Sequence, residues 1–268
     1  MSGRLVVCPT PIGNLEDITL RVLAALRSAD VIACEDTRRT GVLLDRYGVT
    51  ASLVPYHEHN ERERTPELVA RMRDGAVVAL VSDAGMPLVS DPGYWLVQGC
   101  VAAGLEVEVL PGPSAALAAL VASALPSDVW RFVGFLPRKR GALVEVFGSG
   151  ETVVAFESPR RLPATLRLLA ERDPDRRAAV CRELTKLHEE VRRGTVAELA
   201  AHYDSAPKGE VTLVLAPGAA GGGRAGPADD ALRELAEALG SRRAASLAAR
   251  LTGLPRNRLY AAITRARR

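Results

Sequence analysis

Short apolar runs alternate along this chain with longer stretches whose apolar residues recur every three or four positions. The short runs read as strands: Arg4–Cys8, Val31–Cys34, Ser52–His57, Val77–Ser82, Glu106–Leu110, Phe132–Leu136, Thr152–Glu157, Ala178–Glu183 and Glu210–Ala216. The longer ones read as helices over Ile18–Ala29, Pro66–Asp74, Trp95–Ala103, Ala115–Leu125, Arg160–Glu171 and Val196–His202. Alternation of this kind indicates α/β architecture with largely parallel sheets. The first five strands are unbroken apolar runs such as Ala76–Val81, the pattern of strands covered on both faces. So many strands ask for two α/β lobes, residues 1–123 and 124–216, with the break around Val121–Val129. The Gly-rich stretch 217–228 reads as a linker. Residues 229–268 read as a small helical module, with helices over Asp229–Leu239, Arg242–Leu251 and Arg256–Ala266. Ser241 as a cap, Thr252-Gly253 as a turn and Pro255 at a helix start make its second half helix-turn-helix-like.

Charge sharpens that division. The 268 residues carry a net charge of +3. From Ala228 onward nine Arg face four acids, which leaves the body slightly acidic, and no acid follows Glu237. A basic end of this kind suits a polyanionic partner, nucleic acid first, with Arg242, Arg243, Arg256 and Arg258 as candidate contacts. The longest nearly apolar stretch, Ala115–Leu125, is too short to cross a bilayer, and the N-terminus does not read as a signal peptide. Cys8, Cys34, Cys100 and Cys181 are scattered, against a disulfide framework or zinc knuckle and in keeping with a reducing cytosol.

Candidate chemistry lies just past the strands, where open α/β sheets bind ligands. Three loops there are rich in Gly, Pro and Asp: Pro9–Asp17, Ser82–Gly93 and Pro111–Ala115. Glycine admits close backbone approach and proline stiffens the loop. Pro113 in a first helical turn leaves the N–H groups of Ser114 and Ala115 free for a ligand. Neither Rossmann nor P-loop glycine fingerprints are present. Gly112–Ala116 approaches a hydrolase elbow but lacks the final Gly and an evident His–acid pair. His57 and His59 have no third metal ligand, and no metal is expected. Glu35 and Asp36 end the second strand, with Asp36 also a natural helix cap. Arg38, Arg39, Arg160 and Arg161 suit phosphate. Lys186, one of only three lysines, is another candidate for chemistry.

Taken together, Thr10–Thr19, Glu35–Arg38, Ser82–Gly93, Pro111–Ala115, Phe135–Pro137, Glu157–Arg160 and Arg182–Lys186 resemble the ribosomal small-subunit methyltransferase I family, within the tetrapyrrole-methylase superfamily. The resemblance implies S-adenosylmethionine in a cleft between two α/β lobes, and 2′-O-methylation of a cytidine in the decoding region of 16S rRNA. It places the cofactor against Pro11, Ile12, Ala84, Gly85, Met86, Pro87, Val89, Ser114 and Ala115, with Glu157 and Leu184 closing the far side. It further implies a cytoplasmic homodimer acting on the small ribosomal subunit. For the proton of a ribose hydroxyl, Asp36 is the first candidate acceptor, followed by Glu35, Asp91 and Lys186. A tetrapyrrole methyltransferase and a non-catalytic RNA-binding module on the same fold are the competing readings.

Overall fold

The computed structural model describes residues 3–218, 234–252 and 256–266. The body opens with β1 (Arg4–Val7), followed by α1 (Leu20–Ser28), β2 (Val31–Cys34), α2 (Thr37–Arg46), β3 (Ser52–Pro55), α3 (Glu61–Arg73), β4 (Val77–Val81), α4 (Tyr94–Ala102) and β5 (Glu106–Val109). These five strands form one all-parallel sheet in the order β3-β2-β4-β1-β5. The order matters for function. It sets β4, β1 and β5 side by side, so the three Gly- and Pro-rich loops leave the same edge as neighbours. β2, which carries Glu35 and Asp36, stands next to β4, which carries Asp83. The loops are stitched across: Thr10 and Gly85 exchange backbone hydrogen bonds of 2.8 and 3.0 Å, and Thr10 Oγ1 donates to the Ser82 carbonyl.

Only the inner strands of this sheet are as enclosed as their apolar runs imply. β2 is wholly buried, whereas β3 and β5 are edge strands with exposed ends. Apolar clusters cover both faces. Leu5, Val7, Leu68, Met72, Leu80 and Leu96 fill one, and Val6, Cys8, Leu26, Ile32, Leu44 and Ala79 the other. Successive residues of β1 therefore serve opposite cores, as strand geometry requires.

The chain continues through α5 (Ala115–Ser123), β6 (Trp130–Phe135), α6 (Arg140–Phe147), β7 (Thr152–Glu157), α7 (Leu162–Ala170), β8 (Arg177–Arg182), β9 (Glu190–Thr195), α8 (Val196–His202) and β10 (Val211–Leu215). The second sheet runs β6-β7-β10-β8-β9. Only its β6–β7 pair is parallel, while β10 pairs antiparallel with both β7 and β8, and β9 with β8. The expectation of parallel sheets fails here because β9 turns straight back from β8 with no crossover helix. β9 escapes a pattern reading because it is a polar edge, Glu-Val-Arg-Arg-Gly-Thr, with Arg192 and Arg193 exposed. α5 leaves the first sheet and packs on the second, its Ala116, Ala119 and Leu120 against Val154, Ala179, Cys181 and Val214. α3 begins five residues before Pro66, with Glu61 and Glu63 in its first turn.

Residues 219–268 form a compact unit of their own. Helices Ser241–Thr252 and Arg256–Ala266 pack around Ala236, Ala244, Ala245, Ala248, Leu259 and Ile263. Arg242, Arg243 and Arg256 are exposed. The expected linker from 219 on, the beginning of the helix expected at Asp229, the turn at 253–255 and the side chain of Arg258 lie outside the described residues.

Candidate active site

A cavity of about 380 Å³ opens between the two sheets of the body. The first sheet contributes Ile12 from the loop after β1, Ala84, Gly85, Met86 and Val89 from the loop after β4, and Ser114 and Ala115 at the start of α5. The second contributes Phe135, Phe156, Glu157, Leu184 and the 209–212 segment. Of the residues assigned to a cofactor, Pro11 and Pro87 do not line the cavity; both are buried beneath their loops and shape them. The first turn of α5 points into the cavity. Ser114 caps it, its Oγ accepting from Leu117 N, so it serves the helix rather than a hydrolase elbow.

The cavity loops hold unusual backbone. Leu88 and Ser90 take φ of 71° and 69° on either side of Val89, and Glu183 and Thr185 take 51° and 66° on either side of Leu184. Four non-glycine residues in the left-handed region, two flanking each lining residue, are local strain held by the surrounding fold. The two lobes meet nearby. Asn14 N donates to Thr185 Oγ1 at 3.0 Å, and a Cβ on Gly13 would fall 2.5 Å from Lys186 Cγ. Glycine at 13 is what allows the β1 loop to touch the 184–186 loop.

Charge in the cavity is one-sided. Its charged lining residues are Glu157 and Glu210. Glu157 is buried and fully engaged, accepting from Ser158 N at 2.7 Å and Thr165 Oγ1 at 2.6 Å, with Arg161 Nη2 3.4 Å away. Arg161 also donates to the carbonyls of Leu136 and Pro137, so it braces the lobe instead of facing phosphate. Arg160 is exposed. With no basic side chain in its lining, the cavity suits a cationic or neutral ligand rather than a pyrophosphate.

None of the four proton-acceptor candidates lines the cavity itself; Asp91 lies on a lining loop and Lys186 is bonded to the lining residue Glu210. Asp36 caps α2 and is clamped by Arg38, whose Nε and Nη2 donate at 3.1 and 2.7 Å. Those hydrogen bonds hold its carboxyl well below the usual carboxylate range. Asp83 accepts from Asp36 N at 3.1 Å and lies 3.4 Å from Arg39. Glu35 is pushed up by burial and by Asp83, against the pull of Asp83's N–H, Arg39 and His57. Asp91, two residues beyond Val89 on the cavity loop, stands apart. Burial first, then Glu35 and Asp83, push it up to about 7, against a hydrogen bond from Ser82. Lys186 donates to Glu183 at 2.9 Å and Glu210 at 3.0 Å. Burial opposes its charge, but those two bonds outweigh it and keep the ammonium. Sequence reasoning passed over Phe135, Phe156, Cys181 and the 209–212 segment. The bulge in β6, with β7, β8 and the start of β10, brings them together from far along the chain; of these only Phe135 lies in a segment the resemblance singled out, and it carried no role there.

Two sheets with a cleft between them, entered by loops from the first sheet's strand ends, define a methylase of the tetrapyrrole class. Residues 4–200 match the family model for Tetrapyrrole (Corrin/Porphyrin) Methylases, and residues 223–267 match the RsmI C-terminal HTH domain. The chain belongs to the ribosomal RNA small subunit methyltransferase I family. It is 49% identical over 263 residues to the protein of that name from Mesorhizobium japonicum, covering 96% of this chain and 90% of that one. It is 43% identical to that from Escherichia coli O157:H7, covering 96% and 93%. Among solved structures, uroporphyrin-III C-methyl transferase from Thermus thermophilus complexed with S-adenyl homocysteine shares the fold. Its TM-score is 0.56 at 20% identity, covering 79% of this chain and 97% of that one.

Proposed function

We propose that the chain transfers a methyl group from S-adenosylmethionine to the ribose 2′-hydroxyl of a cytidine in 16S rRNA, in the decoding region of the small ribosomal subunit. The single observation that carries the reading is the cavity between the sheets, joined to family membership over 96% of the chain. The fit to the cofactor is chemical: about 380 Å³ of largely apolar space is in the range for a small ligand, and its lining holds no basic side chain to repel a sulfonium cation. Ile12, Ala84, Gly85, Met86, Val89, Ser114 and Ala115 would hold it from one side, and Glu157 and Leu184 from the other. When bound, S-adenosylmethionine supplies a methyl carbon that exchanges its bond to sulfur for one to the 2′-oxygen, leaving S-adenosylhomocysteine and one hydroxyl proton.

The protein's tasks are alignment and disposal of that proton. Holding the 2′-oxygen about 3 Å from the methyl, in line with the departing sulfur, contributes roughly 7–11 kcal/mol. Asp91 is the proton acceptor: it sits on the cavity loop, and its displaced pKa of about 7 matches a general base at neutral pH. Asp36 is committed to Arg38 and the cap of α2. Arg38 and Arg39, exposed at the same rim, meet phosphates. Arg242 and Arg256, which with Asn257 and Tyr260 line a shallow groove in the C-terminal unit, hold RNA backbone, and the exposed Arg243 extends that contact.

Among the described residues no helix is long and apolar enough to cross a membrane; a ribosomal RNA substrate supports a cytoplasmic location. Exposed apolar side chains such as Leu20, Val101 and Val121 support a homodimer, which light scattering tests. The test of function incubates the protein with unmethylated small subunits and labelled S-adenosylmethionine. Label in one cytidine, with the following linkage resistant to alkali, is expected. Label on a base, or only on a tetrapyrrole, overturns the reading.

A further inference from the structure

The end of β6 is deformed where it meets the cleft. Its pairing with β7 slips between Phe132 and Phe135, and Gly134 takes a φ of 64°. A bulge bends its strand and re-aims the side chain beyond it. A Cβ on Gly134 would stand 3.3 Å from Ser90 Oγ, so the bend lies against the loop that carries Asp91. The side chain it turns is Phe135, which lines the cavity yet is 62% exposed. The ring is supported from behind. It meets Phe156 edge to face at 5.5 Å, and Phe156 meets Phe132 at 4.9 Å. Three of the chain's four phenylalanines are thus spent on one stack, and its outermost ring is left uncovered at the mouth of the cavity.

We propose that Phe135 is the platform on which the base of the target nucleotide stacks. The inference rests on the reading that the substrate is RNA and deepens it. A ribose enters a closed cleft most readily when its base leaves the helix stack, and an extruded base is held by aromatic side chains. The local charges agree. No basic side chain lines the cavity to hold a phosphate, whereas Arg38 and Arg39 stand exposed at the rim. A flat, uncharged base face is the part of a nucleotide that this mouth admits. With the base on Phe135, the ribose faces Ser90 and Asp91 across the opening.

The test compares wild type, Phe135→Leu and Phe135→Trp in three measurements: S-adenosylmethionine affinity by calorimetry, kcat/KM for methyl transfer to unmethylated small subunits, and thermal unfolding. Phe135→Leu should bind S-adenosylmethionine within about twofold of wild type and lose about 5- to 150-fold in kcat/KM, the range for one stacked base. Phe135→Trp should recover most of that loss, because an indole stacks as well. Equal kcat/KM for wild type and Phe135→Leu would overturn the inference and leave the proposed reaction standing. A loss matched by weakened S-adenosylmethionine affinity would also overturn it, assigning the ring to the cofactor. Wild type that labels no small subunits would remove the RNA reading and this inference with it.

Discussion

At the scale of single residues, the carboxylates at the rim divide by environment. Asp36 and Asp91 look alike in a loop-rich sequence, but one is spent on an arginine and a helix cap, and the other is desolvated beside further carboxylates. Methyl transfer should rise with pH and level off above about 7, tracking ionisation of Asp91. Asp91→Asn should lower the rate by about 10²- to 10⁴-fold and flatten that rise. The same carboxyl works against folding. A folded pKa above the unfolded value means that ionisation is penalised in the native state: nothing is lost below about pH 4, the penalty grows up to about 7, and it is constant beyond. Asp91→Asn should therefore unfold at a higher temperature than wild type at pH 8 and at nearly the same temperature at pH 4. Thermal melts at both values decide it. Asp36→Ala should lower the melting temperature while leaving the pH of half-maximal rate in place, and a displaced midpoint would return Asp36 to candidacy.

At the scale of elements, the cleft depends on loops that touch. Gly13 lies against Leu184, Thr185 and Lys186, with 2.5 to 2.9 Å available for an added carbon. Gly13→Ala should push these loops apart at a cost of about 1–3 kcal/mol, read as weaker S-adenosylmethionine binding by calorimetry. Apart from β9 the strands were legible, the inner ones because their apolar runs are uninterrupted, and α1 and α7 because their apolar faces recur regularly. α6 was not foreseen as a helix, and of α2 only its cap, Asp36, was. α2 buries only Thr40, Leu43 and Leu44 in a run rich in Arg and interrupted by Gly41. α6 buries only Leu143 and Phe147. Faces this narrow leave too little periodic signal. The three cavity loops were legible in the first sheet because glycine and proline mark them. Of the second sheet's contribution only Glu157 and Leu184 were foreseen, through the resemblance, since Phe156, Val211 and Thr212 are ordinary strand residues until a sheet places them beside a cleft.

For the whole molecule, body and tail divide the work. Residues 1–218 hold the cavity, and residues 219–268 form a separate unit with its own small core. Removing 219–268 should leave S-adenosylmethionine affinity unchanged. It should also make small-subunit binding less salt-dependent, the log–log slope shrinking by about 0.7–0.9 for each phosphate the tail had neutralised. Filter binding across a salt series measures this, and an unchanged slope would assign RNA anchoring to the body alone.

The α/β class, the run of strands, the basic end and the glycine- and proline-marked loops are all written locally, because each depends on neighbours within a dozen residues. Which carboxylate is free, which arginine faces outward and which ring stands bare depend on atoms that meet only after the strands take the order β3-β2-β4-β1-β5 and the second sheet closes against them. Desolvation and hydrogen bonding are properties of assembled surroundings. For that reason the displaced carboxyl of Asp91, the bracing contacts of Arg161 and the bare ring of Phe135 are properties of the folded molecule and not of the string of residues.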